Sequence, residues 1–213
     1  MDQKYWRKVT HIMKSNLYIS KAEKRIEEKL IYPISKKHLI VNMLFENSFE
    51  YLYPSRKIQS TYYENNKFNI FTDSQNGILP RKKIRVRDSF GKLYLEKKIS
   101  NENGKFKSKK EILRIPQKII DKDYGVLSPI LNVEYDRSYF ADENARVTLD
   151  NNILISKPNE SQKFKYQSFF IVEFKLLKNY KISKNFIDSN FIDKPMKFSK
   201  FDFGIEKIYS PSI

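Results

Sequence analysis

The chain has no cysteine, two histidines, five glycines and one tryptophan among 213 residues, and each scarcity removes a class of chemistry. Without cysteine there is neither a disulfide framework nor a thiolate metal site, and His11 and His38 cannot form a histidine cluster unaided. Any bound metal must therefore be a hard ion on oxygen ligands. No G-x-x-x-x-G-K-[ST] run is present, which sets aside a P-loop, and no Ser-His pair has a recognisable catalytic spacing. The longest apolar stretches, 39–45 and 169–172, fall far short of a membrane span, and the N-terminus lacks the apolar core of a signal peptide. A soluble, cytoplasmic protein is the expectation.

Positive charge is abundant. Lys and Arg number 41 against 25 Asp and Glu, a formal charge of +16, with 14 Tyr and 16 Phe beside them. Such a chain attracts anions. On charge and aromatics alone, nucleic acid ranks first, with lysines meeting phosphates and rings stacking on bases. Part of the Lys, Asn and Ile content can reflect an AT-rich genome, so the placement of charges carries more information than their number.

Tyr5, Trp6, Val9, Ile12 and Met13 recur at helical spacing, which predicts a short amphipathic helix and an N-terminal helical extension over 1–24. Residues 25–213 read as a single domain. Pro33 ends a first strand, and Ser35 caps a helix running to Glu46. Strands are expected at 51–53 and 58–63, followed by a mixed segment over 65–76. Next come a hairpin of 81–87 and 92–99 about the Asp88–Gly91 turn, and a strand at 105–109 after Asn103-Gly104. Residues 115–122 read as a short helix. Further strands are expected at 131–140, 145–149, 152–155 and 168–177, then a helix at 183–191. About eight strands with few helices define an α+β chain that is mainly antiparallel β.

Alternate residues of a strand share a face. Arg25, Glu27 and Lys29 therefore point one way; Arg85 and Arg87 share a face, as do Glu96 and Lys98, and Arg146, Thr148 and Asp150. Glu173 interrupts the apolar run 169–174, and Lys175 follows on its face. Any one of these is ordinarily the solvated side of a half-buried sheet. Their recurrence along the chain predicts a closed barrel with charges turned inward, where arginine and lysine neutralise a row of phosphates and a few carboxylates hold a divalent ion. Phosphoryl chemistry in such a site runs on positioning and electrostatics.

In this order, R-x-E-x-K at 25–29, IQSTYYEN, RKKIRVR, LYLEKK, VEYDRSYF, ARVTLD, FFIVEFK and KFSKFDFG resemble the triphosphate tunnel metalloenzymes, the CYTH-like superfamily. The closest likeness is to their VTC-domain branch, polyphosphate polymerases of the vacuolar transporter chaperone type. The resemblance implies a closed eight-stranded β-barrel tunnel with a few flanking helices, and metal-assisted transfer of the γ-phosphoryl of ATP to a growing inorganic polyphosphate chain. It implies catalytic roles for Arg85, Arg87, Lys98 and Lys200. Phosphate contacts are implied for Lys29, Arg137, Arg146, Lys175, Lys197 and Ser199, and Mn²⁺ or Mg²⁺ on Glu173 with Glu27 and Glu96. Asp150 reads as a strand-end ion-pair partner. ATP and polyphosphate are the expected partners. A tunnel-type triphosphatase and a non-catalytic module for polyphosphate or nucleic acid stand as alternatives.

Overall fold

A computed structural model describes residues 26–89, 91–143, 145–176 and 196–209. Arg25, the helix expected near the N-terminus and the one expected at 183–191 lie outside the described residues. The strands are β1 (Ile26–Pro33), β2 (Glu50–Glu64), β3 (Arg81–Ser89), β4 (Lys92–Asn101), β5 (Gly104–Ile112), β6 (Ile119–Asp121), β7 (Gly125–Ala141), β8 (Ala145–Ser156), β9 (Phe164–Tyr166) and β10 (Phe169–Leu176). The helices are α1 (Lys37–Glu46), α2 (Asn69–Gln75) and α3 (Lys200–Tyr209), with a 3-10 turn at Ile34–Lys36. None of the described helices is long and apolar enough to cross a membrane.

The hydrogen-bonded order is β1-β10-β8-β7-β2-β3-β4-β5, with β6 on β7 and β9 on β8. The order does not close on itself: among the described residues no pairing joins β5 to β1, where a closed eight-stranded barrel was expected. The character of β5 explains its place at an end. Lys105, Lys107, Lys109 and Lys110 are all exposed, and lysines on an outer strand discourage a further partner. Residues 115–122 form no helix. β6 lies there instead, with Ile119 and Asp121 buried and Ile120 exposed, because Lys82 and Lys97 donate to Asp121 from the inner side at 2.7 and 3.3 Å. The two expected strands at 51–53 and 58–63 are one, β2, and those at 145–149 and 152–155 are likewise one, β8. Ser35 does not cap α1, whose N-cap is Lys36 without a side-chain bond.

The chain divides into two compact units. Unit 1 comprises residues up to Ser55, Ser138–Leu149 and Phe169–Met196; unit 2 comprises Arg56–Arg137, Asp150–Ser168 and the chain from Lys197. In unit 1, strand alternation puts Leu30 and Tyr32 of β1, Val147 and Leu149 of β8, and Phe170, Val172 and Phe174 of β10 into one buried cluster. Ile40 and Leu44 of α1 cover it. Each such side chain contributes about 1.5–3 kcal/mol by leaving water.

Unit 2 buries Ile84 and Val86 of β3, Leu131 and Val133 of β7, and Ile153 and Ile155 of β8. Helix α3 presses close to β7: a Cβ added at Gly204 would stand 2.5 Å from Cδ2 of Leu131. Tyr209 fastens its far end by donating to the carbonyl of Ile130 at 2.8 Å. Helix α2 starts on a buried carboxylate, Glu64, which accepts from the backbone N–H groups of Asn65, Ile70 and Phe71 at 2.8, 3.1 and 2.8 Å. The Ile70 and Phe71 N–H groups belong to the helix's first turn and would otherwise lack partners.

Candidate functional site

Register sets the first cluster, which lies in unit 2. Arg85 of β3 stands directly opposite Tyr62 of β2 and Glu96 of β4. Its Nε and Nη2 both donate to Oε2 of Glu96, at 2.9 and 2.7 Å, while Nη1 donates to the Tyr62 hydroxyl at 3.0 Å. Lys107 of β5 donates to the other Glu96 oxygen at 2.6 Å. Arg87 lies one alternation along β3, with Nε 3.9 Å from Glu96; that nitrogen is buried and makes no hydrogen bond.

Three cations therefore surround one buried carboxylate. Burial alone would raise the Glu96 pKa, but Arg85, Arg87 and Lys107 outweigh it and hold it at about 2. Burial lowers Lys107, helped by the two arginines, and Glu96 only partly offsets this. For Tyr62, burial favours the phenol, yet Arg85, Arg87 and Lys200 together pull its pKa down. Lys98 is exposed and stands opposite Lys83 on one side and Lys107 on the other. Like charges placed directly across strands repel, and Asp202 and Glu96 offset this by pairing with Lys83 and Lys107.

The second cluster belongs to the same unit. Arg137 of β7 forks onto Asp150 of β8, Nε to Oδ1 at 2.5 Å and Nη2 to Oδ2 at 2.6 Å. Lys200 reaches the same Oδ2 at 2.5 Å, and both cations lie over the ring of Tyr135, at 5.2 and 4.4 Å from its centroid. Burial opposes ionisation of Asp150, but Lys200 and Arg137 prevail and keep its pKa below the ordinary value. Lys200 can reach inward because K-F-S-K is not a strand: the chain turns into α3 at that residue. Ser199 caps the helix, its hydroxyl accepting from the Asp202 N–H at 3.4 Å and its carbonyl from Phe203 at 2.9 Å. Lys83 secures the cap, donating to Ser199 Oγ at 2.7 Å and to Asp202 at 2.9 Å. Burial, first, lowers the Lys83 pKa, with Asp202 opposing. Lys197 is exposed in the approach to the helix.

In unit 1, Glu27 stands opposite Lys175 and Lys29 opposite Glu173, a ladder of alternating charge across β1 and β10. Lys175 Nζ lies 3.3 Å from Glu173 Oε1, whose side chain keeps 12% exposure. Arg146 is half-buried on the face of β8 away from Val147 and Leu149. Of the expected metal carboxylates, Glu96 has both oxygens engaged by cations. Among the described residues no three Asp, Glu or His side chains converge on one point, so the protein alone forms no metal cage there. Glu173, beside Lys175, has the carboxylate chemistry to be one ligand of an ion held mainly by phosphates, as Mg²⁺ commonly is.

The structure thus gathers Arg85, Arg87, Glu96, Arg137, Ser199 and Lys200 in unit 2, with Lys98 and Lys197 exposed there, and places Glu27, Lys29, Arg146, Glu173 and Lys175 in unit 1. Sequence reasoning missed Tyr62, Lys83, Lys107 and Tyr135. Lys83 was findable, since it shares the alternation of Arg85 and Arg87. Lys107 and the tyrosines needed the strand register.

Comparison with known proteins agrees with the fold. Residues 117–209 match the family model described as the VTC domain, which bears out the resemblance over that span. No curated protein matches. Among solved structures, an adenylate cyclase candidate from Bacillus halodurans is 13% identical with a TM-score of 0.56, covering 88% of this chain and 98% of its own. One from Vibrio parahaemolyticus is 14% identical at TM-score 0.54, covering 85% and 98%. An adenylyl cyclase candidate from Hippeastrum, described as having a dominant triphosphatase activity, is 15% identical at TM-score 0.53, covering 88% and 98%. At such identities these likenesses establish a common fold.

Proposed function

We propose that this chain, with its VTC-domain match over residues 117–209, is a polyphosphate polymerase acting on ATP and inorganic polyphosphate. One observation carries the reading. Among the described residues of unit 2, Arg85, Arg87 and Lys107 converge on Glu96, and Arg137 and Lys200 on Asp150, a concentration of cations, all but Lys107 mostly withdrawn from water, that suits a phosphate polyanion.

In the reaction proposed, a terminal oxygen of the polyphosphate chain attacks the γ-phosphorus of ATP. The new P–O bond forms as the bond to the β–γ bridging oxygen breaks, and ADP leaves. The attacking group is the substrate's own, so the protein needs no nucleophile. Arg85, Arg87, Lys98 and Lys200 neutralise and align the reacting phosphates, and Arg137 and Lys197 hold the chain; alignment and charge neutralisation are the principal sources of rate in phosphoryl transfer. In unit 1, Lys29, Arg146 and Lys175 offer further phosphate contacts. Glu173 would be the carboxylate for a Mn²⁺ or Mg²⁺ that arrives with phosphates and supplies Lewis-acid polarisation. Glu27 would support it.

Hydrolysis of triphosphate on the same face is the second reading. The fold shared with the Hippeastrum protein and its described triphosphatase activity favour it.

Incubating purified protein with ATP and Mn²⁺, and assaying long-chain polyphosphate and orthophosphate together, separates the two. Polymer with ADP is expected. Orthophosphate alone would replace the polymerase by a hydrolase, and neither product would leave a binding module for polyphosphate or nucleic acid. Glu173→Gln should cut turnover at least 10-fold while tripolyphosphate binding in EDTA is unchanged; full turnover would remove the metal role.

A further inference from the structure

We infer that Asp150 is a positioning residue, the carboxylate that aims Arg137 and Lys200 at a bound phosphate chain; the inference rests on the phosphate-binding reading above.

Its surroundings are unusual for a structural ion pair. Asp150 has no exposed surface, and its two partners keep side-chain exposures of only 10% and 11%. Three charges held out of water are costly, and apolar replacement of such a set is often neutral or stabilising. On β8 Arg146 and Thr148 share the face of Asp150, so the three charges are set on a polar face, apart from the apolar cluster that holds Val147 and Leu149. A charged solution that is no better for folding points to a demand other than folding.

Lys200 sharpens the point. It is the first residue of α3, at the helix end where unsatisfied N–H groups carry partial positive charge and a lysine is disfavoured. Asp202, two residues on, obeys the same rule that Lys200 breaks. Local rules broken inside a site with evident compensation mark function more often than accident. The compensation is Asp150, which draws the ammonium over the Tyr135 ring at 4.4 Å from its centroid.

The fork geometry then fixes the orientation of Arg137. Arg137 uses Nε and Nη2 on Asp150, which locks the guanidinium plane. One negative charge between two positive ones leaves the trio with a net charge of +1, so it orients the cations without cancelling them. A carboxylate acting merely as a stand-in for phosphate would compete with the ligand, and its removal would tighten binding. A carboxylate that positions would weaken binding when removed. The two roles differ in sign.

Isothermal titration of inorganic tripolyphosphate into wild type, Asp150→Asn, Asp150→Glu, Lys200→Met and the Asp150→Asn/Lys200→Met double variant reads that sign. Thermal melts of each report folding. Asp150→Asn is expected to stay folded at the titration temperature with Kd raised more than 10-fold. Asp150→Glu, which restores the charge, should bring Kd back to within about 3-fold of wild type. The double variant should bind no more than about 3-fold worse than Lys200→Met alone, since both changes disable one device. Unchanged or tighter binding by folded Asp150→Asn overturns the positioning role, as do fully additive losses. Unfolding of both Asp150 variants makes the residue structural and also overturns it. Absence of tripolyphosphate binding by wild type is a different result: it removes the proposed function itself, and the positioning role with it.

Discussion

The two units bury different things. Unit 1 closes on aliphatic and aromatic side chains, and among the described buried polar residues only Thr148 belongs to it. Ser60, Glu64, Lys82, Glu96, Asp121, Arg137, Asp150, Asn151 and Ser156 all lie in unit 2. Burying a charge costs far more than burying a methylene unless it is paired. Unit 1 therefore keeps Glu27, Lys29, Arg146, Glu173 and Lys175 half-buried around an apolar core, whereas unit 2 gives up stability for buried, organised charge. The contrast also separates two kinds of charged face. Glu27 faces Lys175 and Lys29 faces Glu173 across β1 and β10, opposite charges matched along a strand pair, whereas Glu96 and Asp150 are buried hubs with several cations apiece.

That division can be broken. Leu44 is completely buried in unit 1, so Leu44→Ala should cost about 2–5 kcal/mol in a denaturant titration and leave tripolyphosphate affinity of the folded protein untouched. A parallel loss of affinity would show that the units are not separable in function. In unit 2, Arg85→Ala should weaken tripolyphosphate binding by about 1.5–3 kcal/mol, roughly 10- to 100-fold by calorimetry; less than a 3-fold change would take Arg85 out of the site. Gly204→Ala sets a methyl against Leu131 and should cost about 1–3 kcal/mol through overpacking. Lys200 should follow the displaced helix, so affinity falls with stability.

The smallest effect is one of pH. Glu96 is held at about 2, below its ordinary 4.5, so its pairing contributes stability above pH 4.5 that is lost as the pH falls from 4.5 toward 2. Melting temperature should drop across that window in wild type and drop less in Glu96→Gln. An identical slope in both would assign acid sensitivity to other carboxylates.

Much of this was legible in the chain. The β3–β4 hairpin follows from alternation on either side of Asp88–Gly91, where Gly91 takes a φ of 71° that suits glycine, and the Arg85–Arg87 face follows with it. The joining of 51–53 to 58–63 was hidden by Pro54, which β2 accommodates within its length. Residues 115–122 misled because the apolar spacing of Ile115, Ile119 and Ile120 also fits a helical turn; the inward pull of Lys82 and Lys97 on Asp121 decided for a strand, and both lysines are distant in sequence. The start of α3 was legible too, since Ser199 and Asp202 form an S-x-x-D capping pattern. Asp150 was visible as a charge but not as a hub, because its two cations come from 13 and 50 residues away.

The exposed lysines of β5 also govern how separate molecules meet. Two such edges approaching one another bring ammonium rows together, and at physiological ionic strength the repulsion reaches about 8 Å. Dilute salt therefore keeps the ladders dispersed. A long polyanion cancels that repulsion and can bridge two edges at once, so concentrated protein titrated with long-chain polyphosphate should turn cloudy near charge balance and clear again in excess. On the proposed reading, the same polyanion would also flocculate the protein through the lysines of β5, and the cloudiness would depend on its length.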